Sequence, residues 1–573
     1  MTKRCLGLTF LFLALSFASH ASPTCDVRAF GAKGDGVTLD TTAVKAAIAE
    51  CVRQGGGTVY FGPGRYVIGT VQLYSHIRLE LESGAALSGS HDINDYLPSG
   101  PFGFARNYGV DLTGEGFVLG MLIAKNAQDI SIEGQGEIDG QGDVFMGMKT
   151  PHIGVDYMSQ YVRNPEKFDA AMASIDYGPV EPNHRPGTMV VFYHCANVRL
   201  TGITLRWAPN WTLHLQDVEG AVISGIQILN DPRIPNNDGI DCMQCRHVRI
   251  SDCDIETGDD GFAIVGSENL NVSNCSISSR SAAIRLESTK LSTFTGISMD
   301  TNRGIAVFAN GYENQASKPT EDVTFSNIVI RTHLIPGHWW GKAEPIYIAV
   351  QPCAAQAGCA VRVRNVVFNN ITAEAENGSL LWGGEGSPIT GVELNGVRLH
   401  MLAPPLAMSE GVGGNLDLRW TATTPRDGII KSDIPALFAK RVEGLRLRDV
   451  EVDWASAVPD YFSDGVRVED FKDVSIDSFN GRQAHDAFGA AISLHRGSGI
   501  SITNSSAAPG TRTFLQLDEV RDRRVFVNYE LHGAATIIDP VSARFDTQIG
   551  TPETRRKPRR APAKPHPSSN PVP

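Results

Sequence analysis

Asn236-Asn237-Asp238-Gly239-Ile240-Asp241, answered by Glu256-Thr257-Gly258-Asp259-Asp260, decides the fold. Asp238 and Asp260 stand 22 residues apart, and so do Ile250 and Val272, and Cys253 and Cys275. An interval shared by charged, aliphatic and thiol positions marks a solenoid in which each rung lies on the last. Rungs of a parallel sheet sit about 4.8 Å apart, and successive side chains alternate between core and solvent. Asp238 and Asp259 then project from adjacent rungs, and Gly258 permits the bend that turns both Asp259 and Asp260 outward. A single Asp is a good turn former. Three in register on neighbouring rungs make a carboxylate cluster, which acid-base cleavage of a glycosidic bond requires.

Outward from this stretch, short phrases repeat: Asp129-Ile130-Ser131-Ile132, Asn197-Val198-Arg199-Leu200, His247-Val248-Arg249-Ile250, Asp322-Val323-Thr324-Phe325, Asn365-Val366-Val367-Phe368 and Asp473-Val474-Ser475-Ile476. Most alternate apolar with polar, as a strand with one buried face must. The spacing predicts an all-β solenoid over residues 22–545, as a single domain. Asp40-Thr41-Thr42 reads as a helix N-cap region, and residues 43–53 as a short helix covering the open N-terminal end. Two insertions, at about 142–186 and 333–344, are long enough to build a binding site on the scaffold. Residues 546–573 are Pro- and Arg-rich and read as a disordered tail.

Residues 1–21 read as a secretory signal peptide: Lys3 and Arg4, an apolar run from Leu6 to Phe17, then Ser19-His20-Ala21. This implies a secreted or periplasmic protein. No segment is long enough for a membrane span. Nine cysteines remain after Cys5 leaves, an odd number. Cys353 and Cys359 are the first disulfide candidates and Cys25 and Cys51 the next, while Cys253 and Cys275 read as small apolar side chains inside the solenoid. Cys242-Met243-Gln244-Cys245 has no second pair to complete a zinc site. The formal charge of −12 includes two cations in the lead and six between Arg555 and Lys564, so the body is near −20. That balance argues against nucleic acid as a partner.

These residues together resemble glycoside hydrolase family 28, the polygalacturonases and their relatives, over about residues 25–510. The resemblance rests on Phe30-Gly31-Ala32-Lys33-Gly34-Asp35-Gly36, Ile138-Asp139-Gly140-Gln141-Gly142, Arg185-Pro186, Asn210-Trp211-Thr212-Leu213-His214 and the two Asp motifs. It implies a right-handed parallel β-helix and inverting hydrolysis without cofactor or metal. Asp259 would be the general acid, and Asp238 with Asp260 would position and deprotonate the water. An inverting pair stands about 6.5–9.5 Å apart, a separation expected of divergent side chains on adjacent rungs. Two family features are absent. Arg280-Ser281-Ala282-Ala283 replaces the usual Gly-His-Gly, and Gly304-Ile305-Ala306-Val307-Phe308 the usual Arg-Ile-Lys. Their absence points away from plain polygalacturonate.

Further candidates line the expected groove. Asn236 precedes the first Asp motif. Arg285 lies between inward Ile284 and Leu286, against the alternative of a surface residue paired with Glu287. Trp339 and Trp340 read as sugar-stacking platforms, against a loop anchored by its own aromatics. Trp211 and His214, one coil before Asp238, suit groove or core equally. The expected partner is a polysaccharide or oligosaccharide, and the expected state a monomer. The competing readings are a polysaccharide lyase, which needs Ca²⁺ and a basic proton abstractor, and a non-catalytic carbohydrate-binding β-helix protein.

Overall fold

A strand such as His247-Val248-Arg249-Ile250 has one apolar edge, and a coiling chain turns that edge inward on every rung. The computed structural model describes residues 23–98, 118–151, 176–309, 319–337, 339, 341–350, 362–405, 416–417, 429–430, 432–527 and 530–538. These form the expected right-handed parallel β-helix, an all-β solenoid. One column of the core runs through Leu79, Ile132, Leu200, Ile223, Ile250, Val272, Phe294, Phe325, Phe368, Leu394, Leu447, Ile476 and Ile502, each the in-register partner of the last. All are buried. Where the column turns aromatic, rung spacing makes the rings stack: Phe294 on Phe325 at 5.0 Å and Phe325 on Phe368 at 5.1 Å between centroids.

Each rung near the Asp motifs has three strands. Leu213–Gln216, Glu219–Ser224 and Gln227–Leu229 form one rung. Ile240–Met243, Arg246–Ser251 and Asp254–Thr257 form the next. Phe262–Val265 and Glu268–Ser273 begin the third, and the long strand Ser276–Glu287 completes it and opens the fourth. The first two corners are tight and need a left-handed residue, supplied by Asp217, Gln244 and Gly266 at one and Gly225, Asp252 and Asn274 at the other. The third corner varies. It spans residues 230–239 in one rung and 258–261 in the next, and the strand runs straight through it in the third. All three carboxylates of the Asp motifs sit at that corner.

The N-terminal end is covered by one helix, Thr41–Arg53, which presses Val44, Ala47, Ile48 and Cys51 onto the first rungs. Asp40 occupies its N-cap position but does not cap it. Its carboxylate accepts instead from the backbone N–H of Lys33 and Gly34, at 2.7 and 2.9 Å. The Asp thus closes the preceding glycine-rich loop, and the N-cap falls where expected but without a side-chain bond to the helix. Cys25 and Cys51 are joined in a disulfide. Cys353 and Cys359 lie outside the described residues. Cys253 and Cys275 are buried free thiols, as expected of core side chains, and Cys242 and Cys245 are buried and free as well. The first insertion is rooted by an antiparallel pair, Met146–Pro151 with Val180–Pro182. The signal-like lead and the basic tail also fall outside the described residues, and no described helix is long and apolar enough to cross a membrane.

Phe325→Ala should lower the urea unfolding midpoint by an amount equivalent to about 3–5 kcal/mol, the usual cost of emptying an aromatic core site. Val329→Ala, on the outer face of the same strand, should stay within about 0.5 kcal/mol. Equal effects from the two changes would contradict the stacked-core account.

Candidate active site

Two stacked third corners carry the site. Ile240 pairs with Phe262, so Asp238 and Asp260 hold equivalent places on adjacent rungs. The ladder continues through them: Gly239 N–H donates to Asp260 O and Gly261 N–H to Ala282 O, both at 2.9 Å. Asn237 holds the corners together. Its Oδ1 accepts from Gly258 and Asp259 N–H at 2.7 and 3.3 Å, and its Nδ2 donates to Asp231 O at 2.8 Å. The Asp259 carbonyl accepts from the hydroxyls of Thr257 and Ser279, each at 2.7 Å. A Cβ at Gly258 would lie 2.4 Å from Ile234 O and 2.8 Å from Pro232 O. Glycine here lets the shorter corner tuck under the longer one.

The three carboxylates converge until one oxygen of each lies within 4.8 Å of the others. The reason is architectural: Asp238 stacks on Asp260 at rung spacing, and Asp259 is the chain neighbour of Asp260. All three are buried, and carboxylates so close cannot all ionise. Burial first, then Asp260, pushes the Asp259 carboxyl up to about 7. Burial, and then Asp259, Asp241 and Asp260, raise Asp238 well above the usual range. Asp260 is raised by burial, but Arg285, the Ala282 N–H at 3.1 Å and the Ser281 hydroxyl at 2.9 Å favour its charged form. Asp259 therefore keeps its proton up to near neutrality, and Asp260 has the donors that oppose its burial. Asp238 Oδ1 meets no protein donor. Three such oxygens lie close enough together to share a cation.

His214, Asp241, Ala263 and Arg285 form one outward column on successive strands. Arg285 lies beside the cluster, with Nε 3.9 Å from Asp260 Oδ2, Nη2 3.6 Å from Glu287 Oε2, and its guanidinium over Phe308. His214 is buried edge-on against Trp211, with ring centroids 5.2 Å apart. Burial holds its pKa down to about 4, so the ring is neutral. Trp211, 5% exposed, packs with Met243 and Val265. Both residues underlie the groove and present no open face to it. Asn236, in the left-handed region at φ 56°, donates from Nδ2 to Asp259 Oδ2 at 3.4 Å. Trp339 is only 2% exposed, and its indole N–H donates to Tyr177 O at 2.9 Å. It anchors a loop and offers no face to a sugar, which corrects the stacking expectation. Arg280 Nη1 donates to the same carbonyl at 3.1 Å. Trp340 lies outside the described residues.

Three more residues belong to the site. Asp241 is fully buried, with neither carboxylate oxygen hydrogen-bonded. Burial and Asp260 raise it well above the usual range. Arg303 makes a buried two-point pair with Glu344, at 2.9 and 3.1 Å, and lies 4.0 Å over the Tyr347 ring. It immediately precedes the segment that lacks the Arg-Ile-Lys cations, and a one-residue shift in reading would have found it. Arg185 donates from Nη1 to Pro209 O and Pro235 O, at 2.8 and 2.7 Å, and from Nη2 to Asn236 Oδ1 at 3.0 Å. In the sequence it stood out only as half of Arg185-Pro186.

Comparison with known proteins agrees with the geometry. Residues 113–412, more than half of the chain, match the model of glycosyl hydrolases family 28. A probable polygalacturonase of Vitis vinifera is 30% identical over 262 residues, covering 44% of this chain and 46% of its own length. An exo-poly-alpha-D-galacturonosidase of Dickeya chrysanthemi is 25% identical over 255 residues, 41% of each chain. The chain spans about half the length of the curated relatives it matches. Among solved structures, the family 28 exopolygalacturonase of Yersinia enterocolitica superposes with a TM-score of 0.55 at 17% identity, over 79% of this chain and 78% of its own. A hyperthermoactive exopolygalacturonase of Thermotoga maritima gives 0.51 at 21%, over 66% and 88%.

The buried carboxyls tie stability to pH. A carboxyl whose pKa is raised by folding contributes stability below its unfolded value, and that stability is lost as pH rises through the folded value. Asp241→Asn removes one such group while keeping its shape. The variant should melt above the wild type at pH 7.5, and the gap should narrow at pH 4.5. A variant that melts lower at both pH values would show that Asp241 is a stabilising partner.

Proposed function

The chain belongs to glycosyl hydrolases family 28, and we propose that it is an exported enzyme hydrolysing glycosidic bonds in a pectin-type or other uronate-containing polysaccharide or oligosaccharide. The observation that carries this reading is the uneven Asp cluster: a carboxyl held near pKa 7 at Asp259 beside an Asp260 whose burial is opposed by Arg285, the Ala282 N–H and the Ser281 hydroxyl. Asp259 gives its proton to the glycosidic oxygen as the C–O bond breaks. Asp238 and Asp260, on adjacent rungs, hold a water, and Asp260 takes its proton as it attacks the anomeric carbon. Asp238 Oδ1, with no protein donor, has its acceptor capacity free for that water. Two carboxylates bracketing a water suit single displacement, so the product has inverted configuration.

Arg285 is the cation that faces the groove beside Asp260. In a body of strongly negative charge it supplies the local positive field that an anionic sugar needs. A guanidinium can donate two parallel hydrogen bonds to a carboxylate, which favours a uronate or another acidic sugar at the cleaved position. Arg303 is committed to Glu344 and orders the wall behind it. The absence of Gly-His-Gly and Arg-Ile-Lys favours a uronate-containing substrate other than plain polygalacturonate.

Purified protein should release sugars from a panel of pectic and other uronate-containing oligosaccharides, and proton NMR of the first product should show the inverted anomer. Asp259→Asn should lower kcat by at least about 10²-fold, the scale of lost general-acid catalysis. Turnover within tenfold of wild type would remove Asp259 from the acid role. Arg285→Ala should weaken binding of an acidic substrate by about 1.5–3 kcal/mol, the scale of hydrogen bonds to charged groups, and of its neutral reduced analogue much less. Equal losses on both would make Arg285 a structural residue.

A further inference from the structure

Arg185 enters the site from the end of the first insertion, and all three of its hydrogen bonds go to neutral oxygens. Pro209 O lies on the corner leading to Trp211, Pro235 O on the next corner, and Asn236 Oδ1 beside the acid. Its guanidinium therefore spans two stacked corners, and through Asn236 it reaches a third at Asp259. Burial lowers its pKa to about 10, with Asp238 and Asp259 acting in the opposite sense, so it stays charged across the working range.

The amide of Asn236 has two ends, and Arg185 decides which one meets the carboxyl. A guanidinium only donates, so it must face Oδ1. With Oδ1 taken, Nδ2 points to Asp259 Oδ2. We propose that Arg185 is a positioning residue for the acid step. It fixes the Asn236 amide as a donor to Asp259 and sets a positive charge against the carboxylate left when Asp259 gives up its proton. This rests on the reading of Asp259 as the general acid. In that step the proton passes from the Asp259 carboxyl to the leaving oxygen, the glycosidic C–O bond breaks, and a carboxylate remains. Both the aligned N–H donor and the cation stabilise that anion, and both are in place before reaction.

Several charges act on the Asp259 carboxyl, and they divide by position. Asp238, Asp241 and Asp260 raise the local negative potential, while Arg285 and Arg303 offset it from the C-terminal side of the cluster. His214 is neutral. Arg185 is the cation from the N-terminal side. Removing its charge disfavours the ionised forms of Asp259 and Asp238, so both limbs of the pH–rate profile should move to higher pH.

The test compares the wild type with Arg185→Ala, Arg185→Lys, Asn236→Ala and the double variant Arg185→Lys/Asn236→Ala. On the oligosaccharide the wild type cleaves, Arg185→Ala should lose about 10–100-fold in kcat, below the full 10²–10⁴-fold of general-acid catalysis because the acid itself remains, with KM changed less than about threefold. Both pH limbs should rise. Arg185→Lys keeps the charge but not the planar fork, so its limbs should stay in place while kcat falls. The double variant should lose little beyond the worse single variant, because residues acting as one unit are not additive. Additive losses, unmoved limbs in Arg185→Ala, or a loss confined to KM would overturn the proposal. Infrared titration of the carboxyl band assigned by Asp259→Asn needs no substrate, and its midpoint should rise in Arg185→Ala. A wild type inactive on every glycan would sink the hydrolase reading, and the infrared midpoint would still decide the role of Arg185. Should Arg185→Ala fail to fold, the Lys and Asn236 variants carry the same comparisons.

Discussion

Hydrogen bonding between successive turns of the coil fixes their separation at about 4.8 Å, and the rest of the molecule inherits that distance. It sets the ring spacing in the Phe294–Phe325–Phe368 stack. It also sets how near two side chains can come when each occupies the same place on neighbouring rungs. Asp238 and Asp260 are such a pair. Their repulsion is therefore built into the ladder and cannot be relaxed by rotating one strand, because the same backbone bonds run through both corners.

Such a cluster is costly to bury, and the chain offsets the cost unevenly. Asp260 receives a hydroxyl, a backbone N–H and a nearby guanidinium. Asp241 has no hydrogen bond on either oxygen. Buried polar groups are nearly always paired, and exceptions concentrate where chemistry is done. The unevenness is functional: it favours the charged form at Asp260 over that at its neighbours. Asn237, Thr257 and Ser279 hold the backbone in place while the carboxyls repel one another.

The fold was legible because it is periodic. A 22-residue interval and alternating phrases such as His247-Val248-Arg249-Ile250 report the rung directly, and the carboxylate cluster emerged from applying that interval to two motifs. Non-periodic features were harder to read. Trp339 looked like a sugar platform because two Trp in a polar loop suggest one, yet its N–H found a partner 162 residues away. Arg185 gave no sign of its three acceptors, which come from corners that only winding brings together. Asp40 had the identity and position of a cap, but two N–H groups in the preceding loop competed for its carboxylate and won. The close approach of the carboxyls was implicit in the rung spacing.

The carbonyl of Tyr177 accepts from both Arg280 and Trp339, so the two insertions meet across several rungs. Each added rung shifts the remainder of the chain along the helix axis by one strand spacing. Gain or loss of one rung between residues 177 and 339 would carry Trp339 off by about 4.8 Å and separate it from its acceptor. The two contacts thus act as a ruler. Lineages descended from such a chain are free to lengthen or shorten the coil toward its C-terminal end, where rungs succeed one another after the site is complete. Between the insertions, the number of turns is held constant by geometry, and change there has to come by substitution within rungs.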